Sequence, residues 1–340
     1  MNKGFKIIAY LYDRGDWTVQ DISGEKLTHI NYSFANIREG VVCGGMPEKL
    51  NEVKELKNRF PHLKVLISIG GWAAEGFSDA ALTDESRYLF AQTAVAYMKI
   101  HGFDGIDLDW EYPCSSEGGI KSRPEDKENF NLMLKELRRQ LDILGENDGA
   151  RYLVTVATGA LPYQAHFFDL KTISDIVDYI NLMTYDLYNG FSTRTGHHTG
   201  LYGSNKDVPS TEESVEIYLN CGVPEKKLVV GCAFYGRGWD VIDVSTNGIN
   251  VPTASECHSY SYSMLVSDYI NKNGYIRYWD DLCKAPYLWN GKHYIGYDDP
   301  ESLKYKADFI KSKGLGGAMF WEYSHDHNGA LLGTLYSELK

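Results

Sequence analysis

Apolar and polar positions along this chain fall into a repeating pattern. Short runs rich in β-branched and aromatic residues stand at 6–12, 27–35, 64–71, 104–110, 152–158, 178–186, 227–236 and 316–323. After most of them apolar side chains return every three or four positions. The runs predict strands and the stretches between them helices. Over 124–144, Phe130, Met133, Leu134, Leu137, Leu141 and Leu144 share one helical face, with Pro124 suited to a first turn and Gly145 to a stop. Ser210 and Glu213 have capping-box spacing ahead of a further helix. Strands alternating with helices argue for parallel βα units. Eight of them in one series favour an α/β-class (β/α)8 TIM barrel over a doubly wound sheet.

One interval breaks the rhythm. Residues from about 240 to 296 read as short strands and turns, a small α+β insertion after the seventh strand, on the face where barrels build active sites. No repeat, Pro/Gly linker or low-complexity tract marks a second domain, so 1–340 reads as a single barrel.

Composition changes this picture in few places. Lys plus Arg number 34 against 46 Asp plus Glu, a net charge of −12. Such a surface repels phosphate backbones and argues against nucleic acid as a partner. The six cysteines, at 43, 114, 221, 232, 257 and 283, form no CxxC, so neither a zinc ribbon nor a redox pair is expected. Free thiols and one or two bridges both stay open. No stretch approaches the ~18 apolar residues of a membrane span, and the N-terminal run before Asp13 is too short for an export signal. The chain as written reads as a monomer in mature or trimmed form, without a membrane partner.

The chemistry gathers in "FDGIDLDWEYP", residues 103–113. Strand side chains alternate faces, so Asp107, Asp109 and Glu111 share one face and Ile106, Leu108 and Trp110 the other. The apolar set belongs outside, against helices, which turns the acids into the barrel. Two charges two strand positions apart, ~6.6 Å, repel by roughly 2.5 kcal/mol at an effective dielectric near 20, about two pKa units. At least one of the three should therefore hold its proton near neutral pH. Glu111, last in line and nearest the mouth, is the natural general acid, with Asp109 beneath it as charged partner. Asp104 has the opposite parity and reads as structural. A satisfied polar core and a divalent-cation site are the competing readings. The second needs acids on other strands, and no second acidic cluster stands at a strand end. Neither metal nor cofactor is expected.

"DGIDLDWEYP" resembles the DxxDxDxE signature of glycoside hydrolase family 18, the chitinases. "SIGGW" (68–72), "MTYD" (183–186), "FYGRGW" (234–239) and "GAMFWEY" (317–323) resemble further motifs of that family in the same order. The resemblance implies a (β/α)8 chitinase acting on chitin or chito-oligosaccharides. Glycosidases usually flank the bond with two carboxylates, whereas here all candidates lie on one strand. The family's answer is attack by the substrate's own acetamido oxygen. Glu111 would protonate the leaving oxygen and later activate water. Asp109 would hold the acetamido N–H, Asp107 would share a proton with Asp109, and Tyr185 would aim the acetamido oxygen. Asp186 would touch the distorted sugar or the acid. By the same resemblance Trp321 floors the site and Tyr10 and Phe34 wall it. Trp72 stacks on the leaving-group side, with Phe191 where relatives carry a Trp. Ser68 would bond the inner Asp, and Gly70 and Gly71 would let the backbone pass close. Met183 belongs to the strand-six motif, and Tyr235 and Arg237 supply polar contacts from strand seven. Trp279, Tyr287 and Trp289 suit either sugar contact or packing of the insertion.

Two alternatives carry the same scaffold: an endo-β-N-acetylglucosaminidase on N-glycans, and an inactive chitin-binding lectin. Trp110, Tyr112, Pro113 and the insertion favour chitinase, and the presence of Glu111, Asp109 and Tyr185 speaks against the lectin. Chitin lies outside most cells, so secretion is expected, with a cytoplasmic location left open. His197 and His198 are neighbours that point apart in a loop and suggest no metal. "GLGGAM" leads into a strand rather than a helix and is no dinucleotide motif. "NYS" (31–33) is a glycosylation pattern inside strand two.

Overall fold

In the computed structural model, which describes residues 4–43 and 49–340, every one of the eight expected runs contains a strand. Met1–Lys3, where the N-terminal stretch begins, lie outside the described residues. In chain order the strands are β1 Lys6–Tyr12, β2 His29–Arg38, β3 Val41–Cys43, β4 Lys64–Gly70, β5 Gly105–Asp109, β6 Leu153–Gly159 and β7 Tyr179–Met183. They continue with β8 Leu228–Ala233, β9 Tyr235–Asp240, β10 His258–Ser261, β11 Ile276–Asp280, β12 Ala285–Trp289, β13 His293–Gly296 and β14 Gly317–Trp321. Parallel pairing runs β1-β14-β8-β7-β6-β5-β4-β2, and β2 pairs back onto β1 to close the barrel. The short β3 folds back antiparallel on β2, outside the ring.

The seventh run is split. Phe234 donates its N–H to Trp321 O at 3.0 Å and stacks on Phe320 with ring centroids 3.9 Å apart. There the chain leaves the barrel. Tyr235 and Arg237 consequently stand on β9, not on the seventh barrel strand as expected. β9 belongs to a second, antiparallel sheet of order β10-β9-β13-β12-β11, which begins before residue 240. Trp239, Tyr287, Trp289 and Tyr294 form its own buried cluster. Trp279 lies beside Tyr305 at 5.7 Å. These aromatics pack the insertion rather than facing the cleft.

The helix read over 124–144 spans Asp126–Asp148 and buries Phe130, Met133, Leu134, Leu137 and Leu141. Gly145 does not end it. Its C-cap is Gly149, at φ 63°, while a Cβ on Gly145 would lie 2.5 Å from Ala150 O, so that glycine makes room for the returning chain. Ser210 caps Thr211–Asn220, accepting from Glu213 N at 3.2 Å. All six cysteines are free thiols. Asn31 and Ser33 of the NYS pattern are fully buried. Among the described residues no helix is long and apolar enough to cross a membrane.

The parity argument for β5 holds in three dimensions. Trp110 is buried outside the barrel, stacked on Phe77 at 5.2 Å and edge-on to Phe130 at 5.5 Å. Asp104, before the strand, accepts from Val65 N and pairs with Lys57 at 2.9 Å. Because Trp110 joins strand to helix, Trp110→Ala is expected to cost about 3–5 kcal/mol, measured as a lower urea midpoint. An unchanged midpoint would contradict that packing.

Candidate active site

Asp107 lies at the centre of the barrel with no exposed surface. Four donors converge on its carboxylate. Tyr10 OH at 2.9 Å and Ser68 Oγ at 2.8 Å donate to Oδ2, and Thr155 Oγ1 at 2.5 Å and Asn181 Nδ2 at 3.2 Å donate to Oδ1. They come from β1, β4, β6 and β7, so closure of the ring itself assembles the shell. Burial still lifts the Asp107 carboxyl above its ordinary value, with all four bonds working against the rise. Sequence reasoning named Tyr10 and Ser68 and missed Thr155 and Asn181. Inward parity on β6 and β7 was the available signal for both.

Above it, Asp109 is buried and its Oδ1 has no hydrogen-bond partner. All four of Asp107's bonds go to other residues, so the two aspartates are not hydrogen-bonded to each other in this state. Burial, and then the charges of Glu111 and Asp107, raise Asp109 well above the carboxylate range. Glu111, just past the strand end, is half-buried. Burial lifts it to about 7, helped by the charges of Asp186 and Glu117 and opposed by a hydrogen bond from Tyr112. Burial is thus the first cause of the rise in all three acids, and the repulsion anticipated from strand spacing is felt at Asp109.

Asp186 behaves differently. Burial works to raise its carboxyl, but bonds from His198 and Arg237 outweigh burial and hold it below the usual range. Arg237 clamps it with Nε and Nη2, each at 2.8 Å, and His198 Nδ1 lies 3.6 Å away. Asp186 sits in the left-handed region at φ 55°. Tyr185, the residue before it, packs edge-on to Tyr235 at 6.0 Å.

These groups line one cleft of about 610 Å³ at the C-terminal mouth. Tyr10, Phe34, Gly71, Trp72, Asp109, Glu111, Met183, Tyr185, Asp186, Tyr235, Arg237 and Trp321 all reach it. Of the expected site residues only Asp107 and Ser68 lie beneath it, behind Asp109. Trp321 and Phe34 stack at 5.7 Å with 18° between planes. Gly70 and Gly71, at φ 119° and 95°, carry the chain where a Cβ would strike Asp109 O at 2.1 Å and the Phe34 ring at 2.8 Å. The cleft also takes in Tyr12, Tyr112, Glu117, Gln164, Asn189, Ser259 and His325, which sequence reading left out. Tyr12 shares the parity of Tyr10, whereas the loop residues give no periodic signal.

The two histidines do point apart: His198 toward Asp186, and His197 toward Asp280 at 3.1 Å. Ligand-type atoms of His197, Asp280 and Cys283 lie within 4.8 Å of one another, away from the cleft. His197 is already bonded there on both ring nitrogens, to Asp280 and to Tyr294.

A carboxyl-lined, aromatic-floored cleft at the mouth of a (β/α)8 barrel defines a glycoside hydrolase site. The chain belongs to the glycosyl hydrolases family 18, whose family profile matches residues 6–326. It is 38% identical to chitinase A1 of Niallia circulans, with 98% of this chain and 58% of that protein covered. To chitinase 1 of Aphanocladium album it is 33% identical, covering 91% and 78%. The structure superposes on a family 18 N-acetylglucosaminidase from Paenibacillus barengoltzii with a TM-score of 0.95 at 40% identity, covering 98% of this chain and 99% of that one. The chain therefore spans a little over half the length of the Niallia circulans relative and essentially all of the Paenibacillus barengoltzii chain.

Glu111 also carries a stability signature. A carboxyl raised on folding costs nothing below its unfolded value, ~4.3, and increasingly more as pH climbs through its folded value, up to about 3 kcal/mol. Glu111→Gln removes that cost. Its gain in Tm over the native chain is expected to be larger at about pH 8 than at about pH 5. A gain independent of pH would contradict the raised value.

Proposed function

We propose that this chain is a retaining chitinase that hydrolyses β-1,4-linked N-acetylglucosamine polymers or oligomers through the substrate's own acetamido group. The observation that carries this reading is the electrostatic division of the cleft. Glu111 is held as an acid near neutral pH, Asp109 lies directly beneath it, and the acid across from them, Asp186, is bound into a clamp with Arg237. The other carboxylates of the described cleft lining are Asp109 and Asp186, already assigned, and Glu117, which lies where the cleft joins a second cavity. An internal nucleophile supplied by the sugar fits this arrangement.

In this reading the sugar to be cleaved lies on Trp321, with Phe34 and Tyr10 at its edge. Asp109, lacking a partner on Oδ1, receives the acetamido N–H and stabilises the cation that develops on the ring it helps to close. The shell of donors around Asp107 keeps that residue able to take or release charge as Asp109 changes state. Tyr185 donates to the acetamido oxygen and aims it at the anomeric carbon. Glu111 gives its proton to the leaving oxygen, then withdraws one from water. Asp186, clamped by Arg237, orders Tyr185 and the mouth of the cleft, and its charge helps Glu111 keep its proton. The enzyme works as a monomer without metal or cofactor. It meets an insoluble polymer outside the cell, after export.

A second reading rests on the Paenibacillus barengoltzii N-acetylglucosaminidase, which matches this chain end to end: removal of single N-acetylglucosamine units from oligomer ends. A product time course on chitin hexamer separates the two. Early dimers, trimers and tetramers support the chitinase, and monomer with pentamer alone supports the second reading. In either case Glu111→Gln is expected to lower kcat by about 10²–10⁴-fold while retaining oligosaccharide binding. Undiminished hydrolysis would remove Glu111 as the acid. Because the acid must be protonated, kcat/KM is expected to fall as pH rises through about 7. First-formed product should be the β-anomer by NMR, and substrate lacking the N-acetyl group at the cleaved unit should not turn over. Initial α-anomer, or an unchanged rate on that substrate, would refute neighbouring-group attack.

A further inference from the structure

The two ends of the cleft are electrically unlike. At the end closed by the insertion, the Arg237 charge is answered by Asp186 at 2.8 Å. At the other end, past Glu111 and Trp72, the cleft runs into a second cavity of about 230 Å³. Glu117, Asn189 and Phe191 line both spaces, so the two are continuous. The second cavity is largely apolar, walled by Leu161, Tyr163, Leu187 and Phe191. Phe191 is 74% exposed and Trp72 52%, with ring centroids 6.4 Å apart, so both offer open faces. Among the described residues Glu117 is the only charged group of this cavity, and no Lys, Arg or His lines it. The neutral Tyr163 hydroxyl lines the same cavity and brings no opposite charge to it.

An apolar surface with one uncompensated carboxylate is the complement of an amino sugar, whose ring face is apolar and whose amine is a cation. N-acetylglucosamine offers the same ring face but an uncharged amide, whose N–H can give Glu117 a hydrogen bond but no opposite charge. This step rests on the hydrolase reading above, which requires an acetyl group only on the sugar over Trp321. We propose that Glu117 makes the leaving-group end selective for glucosamine, so that the favoured substrate is partially deacetylated chitin. The cut then follows an N-acetylglucosamine, with a free amine on the first or second sugar beyond it.

The test is digestion of chitosan of intermediate acetylation in mildly acidic buffer, with sugar order on both sides of each cut read by mass spectrometry. In low salt the native chain is expected to place glucosamine at one of those two positions about two- to fivefold more often than composition dictates, the upper range of a part-exposed ion pair. Raising NaCl to about 0.5 M should erode the preference, since the screening length then falls to a few ångströms. Glu117→Gln keeps the side-chain shape and should bring the ratio close to one. A native ratio of one or below, or a ratio unchanged by salt and by Glu117→Gln, overturns the proposal. The salt series needs no variant, so the outcome does not hinge on the folding of Glu117→Gln. Failure of the native chain to cleave fully acetylated hexamer would instead refute the hydrolase reading itself.

Discussion

A charge kept at the centre of a barrel must be solvated by protein. Asp107 meets that demand with four donors, each from a different strand. Their placement depends on the register of the whole ring, because a slip of one residue in any contributing strand would turn its donor outward. The cluster therefore links closure of the fold to the electrical state of the cleft. Asp109, one step up, has no such shell on Oδ1 and feels both neighbours, and Glu111 above it is raised by burial and by the charges of Asp186 and Glu117. Three carboxyls of one strand thus acquire three environments from position alone.

The aromatic lining follows from the same geometry. Strand ends deliver Tyr10, Phe34, Trp72 and Trp321 to the mouth, where the inner face of the barrel becomes the floor of the cleft. Gly70 and Gly71 let β4 run against the end of β5 and against the Phe34 ring. Bulk on one strand is accommodated by its absence on the next. The result is a rigid apolar bed under a set of acids, suited to a ligand with one flat face and several hydroxyls.

Much of this was legible in the chain. Period-two alternation placed Asp107, Asp109 and Glu111 on one side of β5 and Trp110 on the other, as the fold has them. The eight runs announced the barrel because parallel strands buried on both faces are continuously apolar. What escaped depends on contacts distant in sequence. The end of β8 could not be read within "KLVVGCAFYG", since β-propensity continues unbroken into β9 and only stacking of Phe234 on Phe320 marks the departure. Gly145 looked like a stop because its requirement for a small side chain comes from Ala150 folding back over it. Inward parity was the one signal for the donors Thr155 and Asn181, and the loop residue Glu117 carries no periodic signal at all.

The clamp on Asp186 has an architectural consequence. Its guanidinium comes from β9, the first strand of the inserted sheet, while the carboxylate comes from the barrel. Half of an ion pair inside the cleft is therefore on loan from a segment that contributes nothing to ring closure. A minimal barrel trimmed of residues 235–296 would keep its strands yet leave a stranded negative charge facing Glu111. In this chain the appendage and the mouth of the cleft are therefore electrically one unit.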